Sequence, residues 1–250
     1  MRLRVQLPVL LCVFVAFGAC AAWRESAMRS TSRGPREFFP LHPGTLWVYA
    51  VRDAQGRIAL ERVLVRGVYH LEARQAEGTV VEESGGMSGD FDLDVSWHPV
   101  VYYRRGPFLY KFSGVLNDVG GELQEQTLGD GEEKVLPADP MELPRWESDF
   151  DIFRSEPGAS YHARMVSVAR IIRDAVRVRA GEFRDCLRVD SDSVLDSRSL
   201  RSSHREIAFH YVDWYAPGVG LVKSEVHAGE PTRPITELEL ISFRDGRTGD

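Results

Sequence analysis

Cysteine is almost missing: three in 250 residues, at positions 12, 20 and 186. No C-x-x-C pair and no H-E-x-x-H occurs, which removes the strong zinc signals. No G-x-S-x-G occurs either, so the strand-turn-helix nucleophile of a serine hydrolase is excluded. The Gly218-Val219-Gly220 run has no helix start behind it and is no phosphate loop. Helical periodicity is scarce. Beyond Phe17 no apolar run approaches the roughly 20 residues that a membrane helix needs. An excess of positive charge is also lacking: the formal net charge is −6, which gives no support to a nucleic-acid partner.

What is present begins at the N-terminus. Arg2 and Arg4 precede an apolar run from Val5 to Phe17, followed by Gly18, Ala19 and Cys20. That pattern is a secretion signal, residues 1–19. Phe17-Gly18-Ala19-Cys20 resembles the lipobox of bacterial lipoproteins, with Phe17 where Leu is usual. The resemblance implies cleavage before Cys20 and a diacylglycerol on its thiol, hence a membrane contact through the lipid. Ala21 stands where an Asp would favour inner-membrane retention, so the resemblance implies an outer-membrane lipoprotein facing the periplasm or the cell surface. Cleavage removes two arginines and no acid, leaving 29 basic and 37 acidic residues, net −8. Cys12 leaves with the signal and Cys20 is acylated, so Cys186 remains as the lone thiol, no internal disulfide forms, and a buried small hydrophobe is the expected role. Residues 20–36 are small, polar and basic without apolar period, and read as a flexible tether.

From Glu37 to about residue 245 the chain reads as one β-rich domain, with 246–250 as a tail. RVLVRGVYHLEA, DLDVSW, VRVRAGEF and TELELISF all alternate apolar and polar residues at period two, as half-buried strands do. Val166–Val178 fits a helix face or a strand, and its β-branched content favours the strand. Residues 117–156 hold twelve acids against three bases, net −9, in a stretch bearing Gly and Pro. It is expected to be an acidic, solvated loop. Pro43-Gly44 ahead of Trp47 and Tyr49 is faintly echoed by Pro157-Gly158 ahead of Tyr161, so both places are expected to begin strands.

Four aromatics, two prolines and a glycine crowd into FFPLHPGTLWVYAV, residues 38–51. Pro40 to Gly44 should form a bend. Behind it, Trp47, Tyr49 and Val51 should share one strand face, an aromatic surface that wants a concave partner, either the protein's own core or an apolar ligand. His210, Tyr211, Trp214 and Tyr215 are the densest polar-aromatic group. With Trp47 and Tyr49 they are the candidate ligand contacts, or else ordinary core aromatics. Cys186, His204 or His210, and Asp213 can be arranged on paper as a nucleophile, base and orienter, but seven histidines offer many such pairings. Asp90, Asp92 and Asp94 lack the Gly and Glu of a calcium loop and read, like Asp190 and Asp192, as the wet face of a strand.

Three phrases together resemble a group of bacterial lipoproteins and secreted proteins without an established activity. Phe39 to Tyr49 is similar to its F-P-L-x-x-G-x-x-W-x-Y opening, Val178 to Val189 to V-x-A-G-x-F-x-x-C-L-x-V, and Trp214 to Lys223 to W-Y-A-x-G-V-G-x-V-K. The resemblance implies a fold, a curved antiparallel sheet making a partly open or wrapped barrel with little helix, similar in style to periplasmic lipid and lipoprotein carriers. It supplies no catalytic residues. The residues themselves read Ala180-Gly181 as a hairpin or bulge, Pro217-Gly218 as a turn and Gly220 as a close approach. The expectation is therefore a non-enzymatic envelope lipoprotein, without metal or cofactor, that binds a lipid, an acyl chain or a partner protein of the envelope. The alternatives are a hydrolase acting on glycan or lipid and a structural subunit of a surface or secretion complex.

Overall fold

The computed structural model describes residues 37–84, 97–112, 114–119, 122–127, 132–153, 159–199, 205–229 and 233–248. The signal, Cys20 and the tether lie outside them, as do Asp90, Asp92, Asp94 and His204. From Glu37 onward the chain forms one compact unit. Among the described residues there is no α-helix, only one 3-10 turn at Glu72–Arg74 and sixteen strands.

The first eight strands are β1 Leu46–Asp53, β2 Ile58–Leu71, β3 Ala76–Ser84, β4 Trp97–Arg105, β5 Phe108–Lys111, β6 Gly114–Val119, β7 Glu122–Thr127 and β8 Glu133–Pro137. The second eight are β9 Arg145–Phe153, β10 Ala159–Ile171, β11 Val176–Val178, β12 Gly181–Phe183, β13 Leu187–Ser199, β14 Arg205–Ala216, β15 Gly220–Ala228 and β16 Thr236–Arg244. Twelve of them make a single antiparallel sheet in the order β8-β5-β4-β3-β2-β1-β16-β15-β14-β13-β10-β9. Each half of the chain thus gives six strands, and each half carries one inserted two-stranded hairpin, β6–β7 or β11–β12. First and last strands pair, from Leu46 opposite Arg244 to Asp53 opposite Thr236.

The sheet curls until its two edges, β8 and β9, meet in a nearly closed barrel. No full ladder joins them. Glu132 and Asp149 form a single bridge. Beside it, Ser148 Oγ accepts from the Lys134 backbone N–H at 3.1 Å, and the Trp146 indole donates to the Lys134 carbonyl at 3.0 Å. Lys134 Nζ donates to the Glu147 carbonyl at 2.8 Å. Side chains thereby satisfy edge groups that would otherwise invite another strand.

The N-terminal phrase is a stopper for one end. Pro43 and Gly44 form the turn, with Gly44 at φ +85°. Phe38 packs with Leu136, Trp146, Ala169, Leu187 and Val189 on one wall. Phe39 faces the other wall, its ring centroid 5.1 Å from Tyr102 on β4 and 6.3 Å from Tyr215 on β14. Since β4 and β14 are six places apart in the sheet, a ring that touches both fills the interior. Trp47, Tyr49, Val222 and Leu240 complete this buried layer.

Four local expectations are met. Val178 pairs with Gly181 as a hairpin whose turn is Arg179-Ala180. Pro217-Gly218 turns the chain between β14 and β15. Val166 lies in a strand that runs to Ile171, after which the chain leaves the sheet and forms the separate β11–β12 hairpin. Gly44 and Pro157-Gly158 do precede strands, β1 and β10.

The acidic loop is corrected. Residues 117–156 carry β7, β8, β9 and part of β6 rather than one long connection. Within WESDFDIF, Trp146, Ser148 and Phe150 are buried while Glu147 and Asp149 are exposed and Asp151 is half-buried. The acids are the wet face of an edge strand, and their charge discourages edge-to-edge association. The β6–β7 hairpin reaches the 3-10 turn, where Glu125 accepts from the backbone N–H groups of Glu72 and Ala73 at 2.9 and 3.0 Å.

Candidate functional site

Directly opposed residues of neighbouring strands share a face, and this fixes what points inward. Tyr49 is opposite Glu61. Val63, opposite Trp47, is opposite Glu83 on its other side. Tyr102 is opposite Lys111, and Lys111 opposite Glu133. Asp213 is opposite Val189 and Ser224. Four carboxyls and one amine thus face the same interior as the aromatic layer.

Each of the five lies further from the stopper than the aromatic layer: Glu61 beyond Val63, Glu83 beyond Val81, Lys111 beyond Leu109, Glu133 beyond Leu136, Asp213 beyond Tyr215. They form an ionisable ring above a packed floor. The ring is not dry, since the side chains of Lys111 and Glu83 keep 33% and 29% of their surface accessible. Lys111 Nζ stands 3.7 Å from Glu83 Oε1, and the Tyr102 hydroxyl donates to the same oxygen at 3.4 Å.

Electrostatics confirm that the ring members sense one another across the barrel. Glu61 is pushed up to about 7, first by burial and then by the Glu83 charge, with Lys111 opposing. Asp213 is pushed up to about 6 by burial, against a hydrogen bond from Ser224, with Glu133 and Asp190 adding to the rise. Burial raises Glu133, Lys111 draws it down, and Glu83 adds to the rise. Lys111 is held above its usual range, first by Tyr102, against the cost of burying its charge, and then by Glu83, Glu133 and Glu61. Burial raises Tyr211 and Tyr215 on β14, with Asp213 and, from β8 across the interior, Glu133 adding to both.

Strand alternation splits the aromatic group expected to act together. Tyr211 and Tyr215 lie on the Asp213 face, while His210 and Trp214 lie on the outer face. Trp47 and Tyr49 belong to the floor, each 4% exposed. The Trp47 indole donates to the Val219 carbonyl at 2.5 Å and the Tyr49 hydroxyl to the Leu221 carbonyl at 3.0 Å. Tyr215 is buried in the floor and Tyr211 is half-buried beside the ring. Outside, His210 contacts Asp192 at 2.8 Å, and Trp214 is flanked by Arg188 and Lys223, 5.5 and 5.1 Å from its ring.

The nucleophile-base arrangement drawn on paper does not assemble. Cys186 is fully buried, its thiol pushed up to about 12 by burial and then by Asp185. His210 points outward to Asp192 and Asp213 inward to Ser224. Among the described residues no group of three or more His, Cys, Asp or Glu is arranged to hold a metal ion.

Sequence reasoning passed over Glu61, Glu83, Lys111 and Glu133. A signal for two of them was present. Ala59, Glu61, Val63 and Val65 share one face, as do Thr79, Val81 and Glu83, so each glutamate interrupts an apolar face at period two.

The molecule is therefore an antiparallel barrel stoppered at one end, with an accessible polar lining above the stopper. No protein-family model and no curated protein matches the chain. Two solved structures are similar to it. One is a candidate lipoprotein from Parabacteroides distasonis, with 15% identity, TM-score 0.47, and coverage of 85% of this chain and all of the other. The second is a candidate exported protein with a YmcC-like fold from Bacteroides fragilis, with 13% identity, TM-score 0.46, and coverage of 84% of this chain and 99% of the other.

Proposed function

We propose that the chain is a non-enzymatic, lipid-anchored protein of the bacterial envelope whose barrel receives a ligand on the side of the floor away from the stopper. The ionisable ring carries this reading. Glu61, Glu83, Lys111, Glu133 and Asp213 face inward yet stay reachable, an arrangement that costs folding energy and repays it when a complementary group arrives.

The ligand that suits the ring is an amphiphile whose polar part brings hydrogen-bond donors or positive charge, with Tyr211 alongside. An acyl chain alone, the ligand expected from the aromatic strands, would have to displace Phe38 and Phe39, because the protein's own rings occupy that layer. The outer face supports a barrel bathed in water, since Arg170–Asp190, Arg179–Glu239 and Arg164–Glu206 pairs line it. Attachment to the membrane then falls to Cys20.

The test is native mass spectrometry of the mature chain recovered from a bacterial periplasm. A bound mass that disappears in the Glu61→Gln/Glu133→Gln variant, with unchanged circular dichroism, supports the reading; a clean apo mass from the wild type overturns the ligand claim. Intact mass at Cys20, compared with Cys20→Ser, tests the anchor separately.

A further inference from the structure

Alternation carries three inward rows across the arc of sheet that runs from β14 through β13 and β10 to β9. Nearest the floor, Tyr211, Ser191, Ser167 and Trp146 stand opposite one another in turn. The next row toward the open end is Phe209, Ser193, Met165 and Ser148, and the one beyond it Ile207, Leu195, Ala163 and Phe150. The wall is thus banded, with hydroxyls beside the ring and apolar side chains above them.

Neither band is saturated by the protein itself. The Ser167 and Ser191 hydroxyls meet each other at 2.8 Å, and Ser148 Oγ takes the Lys134 N–H. Ser193, 3% exposed, has no hydrogen-bond partner among the described residues. Met165, Leu195 and Phe209 face inward yet are only half-buried, and Ile207 keeps 38% of its surface exposed. Charge is left over as well. Lys111 stands beside Glu83, whereas Glu61, Glu133 and Asp213 have no ion pair among the described residues. Of these three, Glu133 and Asp213 flank the serine rows from β8 and β14, and Tyr211 lies within reach of both charges.

We infer that the ligand is an alkylammonium amphiphile, its primary ammonium seated between Glu133 and Asp213 beside the Tyr211 ring and its aliphatic chain running along Met165, Leu195 and Ile207 toward the open end. A primary ammonium brings three N–H donors and no acceptor, which two carboxylates and the Ser193 hydroxyl answer. The Tyr211 ring adds a cation–π contact. Burying a carboxylate without a counter-charge is costly, so a cation gains most where the protein has supplied none. The chain gains by covering apolar surface, and it takes the open-end direction because Phe38 and Phe39 fill the other. An anionic headgroup would meet unpaired carboxylates and be refused. The inference rests on the ring as a ligand site and names the class of ligand.

The experiment is calorimetric titration of the unacylated chain from residue 20 with dodecylammonium, dodecanoate and dodecyl maltoside, each below its micelle concentration. Dodecylammonium should bind at least tenfold more tightly than dodecyl maltoside, and dodecanoate should not bind. Glu133→Gln/Asp213→Asn, which removes two charges at nearly constant volume, should weaken dodecylammonium at least tenfold, while Asp192→Asn on the outer face should leave it unchanged. Ile207→Asn, at an exposed position, should weaken it at least threefold. Unchanged ammonium binding by the double variant overturns the seat, and if that variant unfolds, the order of the three amphiphiles on the wild type still decides. Preference for the maltoside or the dodecanoate overturns the cation and leaves the ring a ligand site. Binding of none of the three overturns the inference, and the native mass of the periplasmic protein then decides the ring by itself.

Discussion

Trp47 donates its indole N–H to the carbonyl of Val219 at 2.5 Å, across 172 positions of sequence. Gly220, the next residue, has φ +97°, and a Cβ placed there would sit 3.3 Å from the same indole nitrogen. The opening phrase and the WYAPGVGLVK phrase are thus two halves of one contact. Trp47→Ala should cost about 3–5 kcal/mol and Gly220→Ala about 1–3 kcal/mol from backbone strain and crowding. Denaturant unfolding measures both. Because the residues touch, the double variant should cost less than the sum.

Phe39 bridges walls that the sheet keeps far apart. Phe39→Ala should lower stability by about 3–5 kcal/mol and open the floor, so that an apolar dye binds the variant and not the wild type. Fluorescence titration reads this directly, and equal dye binding by both proteins would remove the stopper role.

The ring predicts an unusual pH profile. Glu61 ordinarily titrates near 4.5 and reaches about 7 in the folded barrel, and Asp213 rises from 3.8 to about 6. A carboxyl raised on folding binds more protons folded than unfolded, so its contribution is present below about 4 and is lost as pH climbs through about 6 to 7. Stability should fall between pH 5 and pH 8, and Glu61→Gln should flatten the fall, gaining on the order of 1–2 kcal/mol at pH 8 once the access of water to the ring is counted. Thermal melts across that range are the check.

At the seam, Trp146→Phe should take the indole donor from the Lys134 carbonyl, leaving it the longer bond from Ser148 Oγ at 3.5 Å, and cost about 1 kcal/mol. The loss should be local. Amide exchange should quicken in β8 and β9 and stay unchanged in the β1–β16 ladder, whereas uniform quickening would mean that the seam is not a separate unit.

Much of this fold was legible because strands announce themselves residue by residue. TELELISF and VRAGEFRDCLRV carry their faces in their alternation, and Gly218 and Gly220 mark a turn and a close approach that φ values of +71° and +97° require. Residues 117–156 were not legible, because twelve acids hide the alternation of WESDFDIF, where each wet position is acidic. The site was half legible. His210, Tyr211, Trp214 and Tyr215 stand together in sequence, yet a period of two sends alternate members to opposite sides. The ring needed the register, because Glu61, Lys111 and Asp213 meet only once β2, β5 and β14 enclose a common interior.

The pairing of β1 with β16 also sets an order of events. Strands β1 to β5 with β8, and β9 to β16, can each zip from neighbours in sequence, but Leu46 finds Arg244 only after nearly the whole chain is in place. A polypeptide that leaves its ribosome N-terminus first therefore carries unpaired edges until its last strand is made. Barrel closure is slow, non-local and late, and under the proposed export it would come after the chain has crossed the membrane.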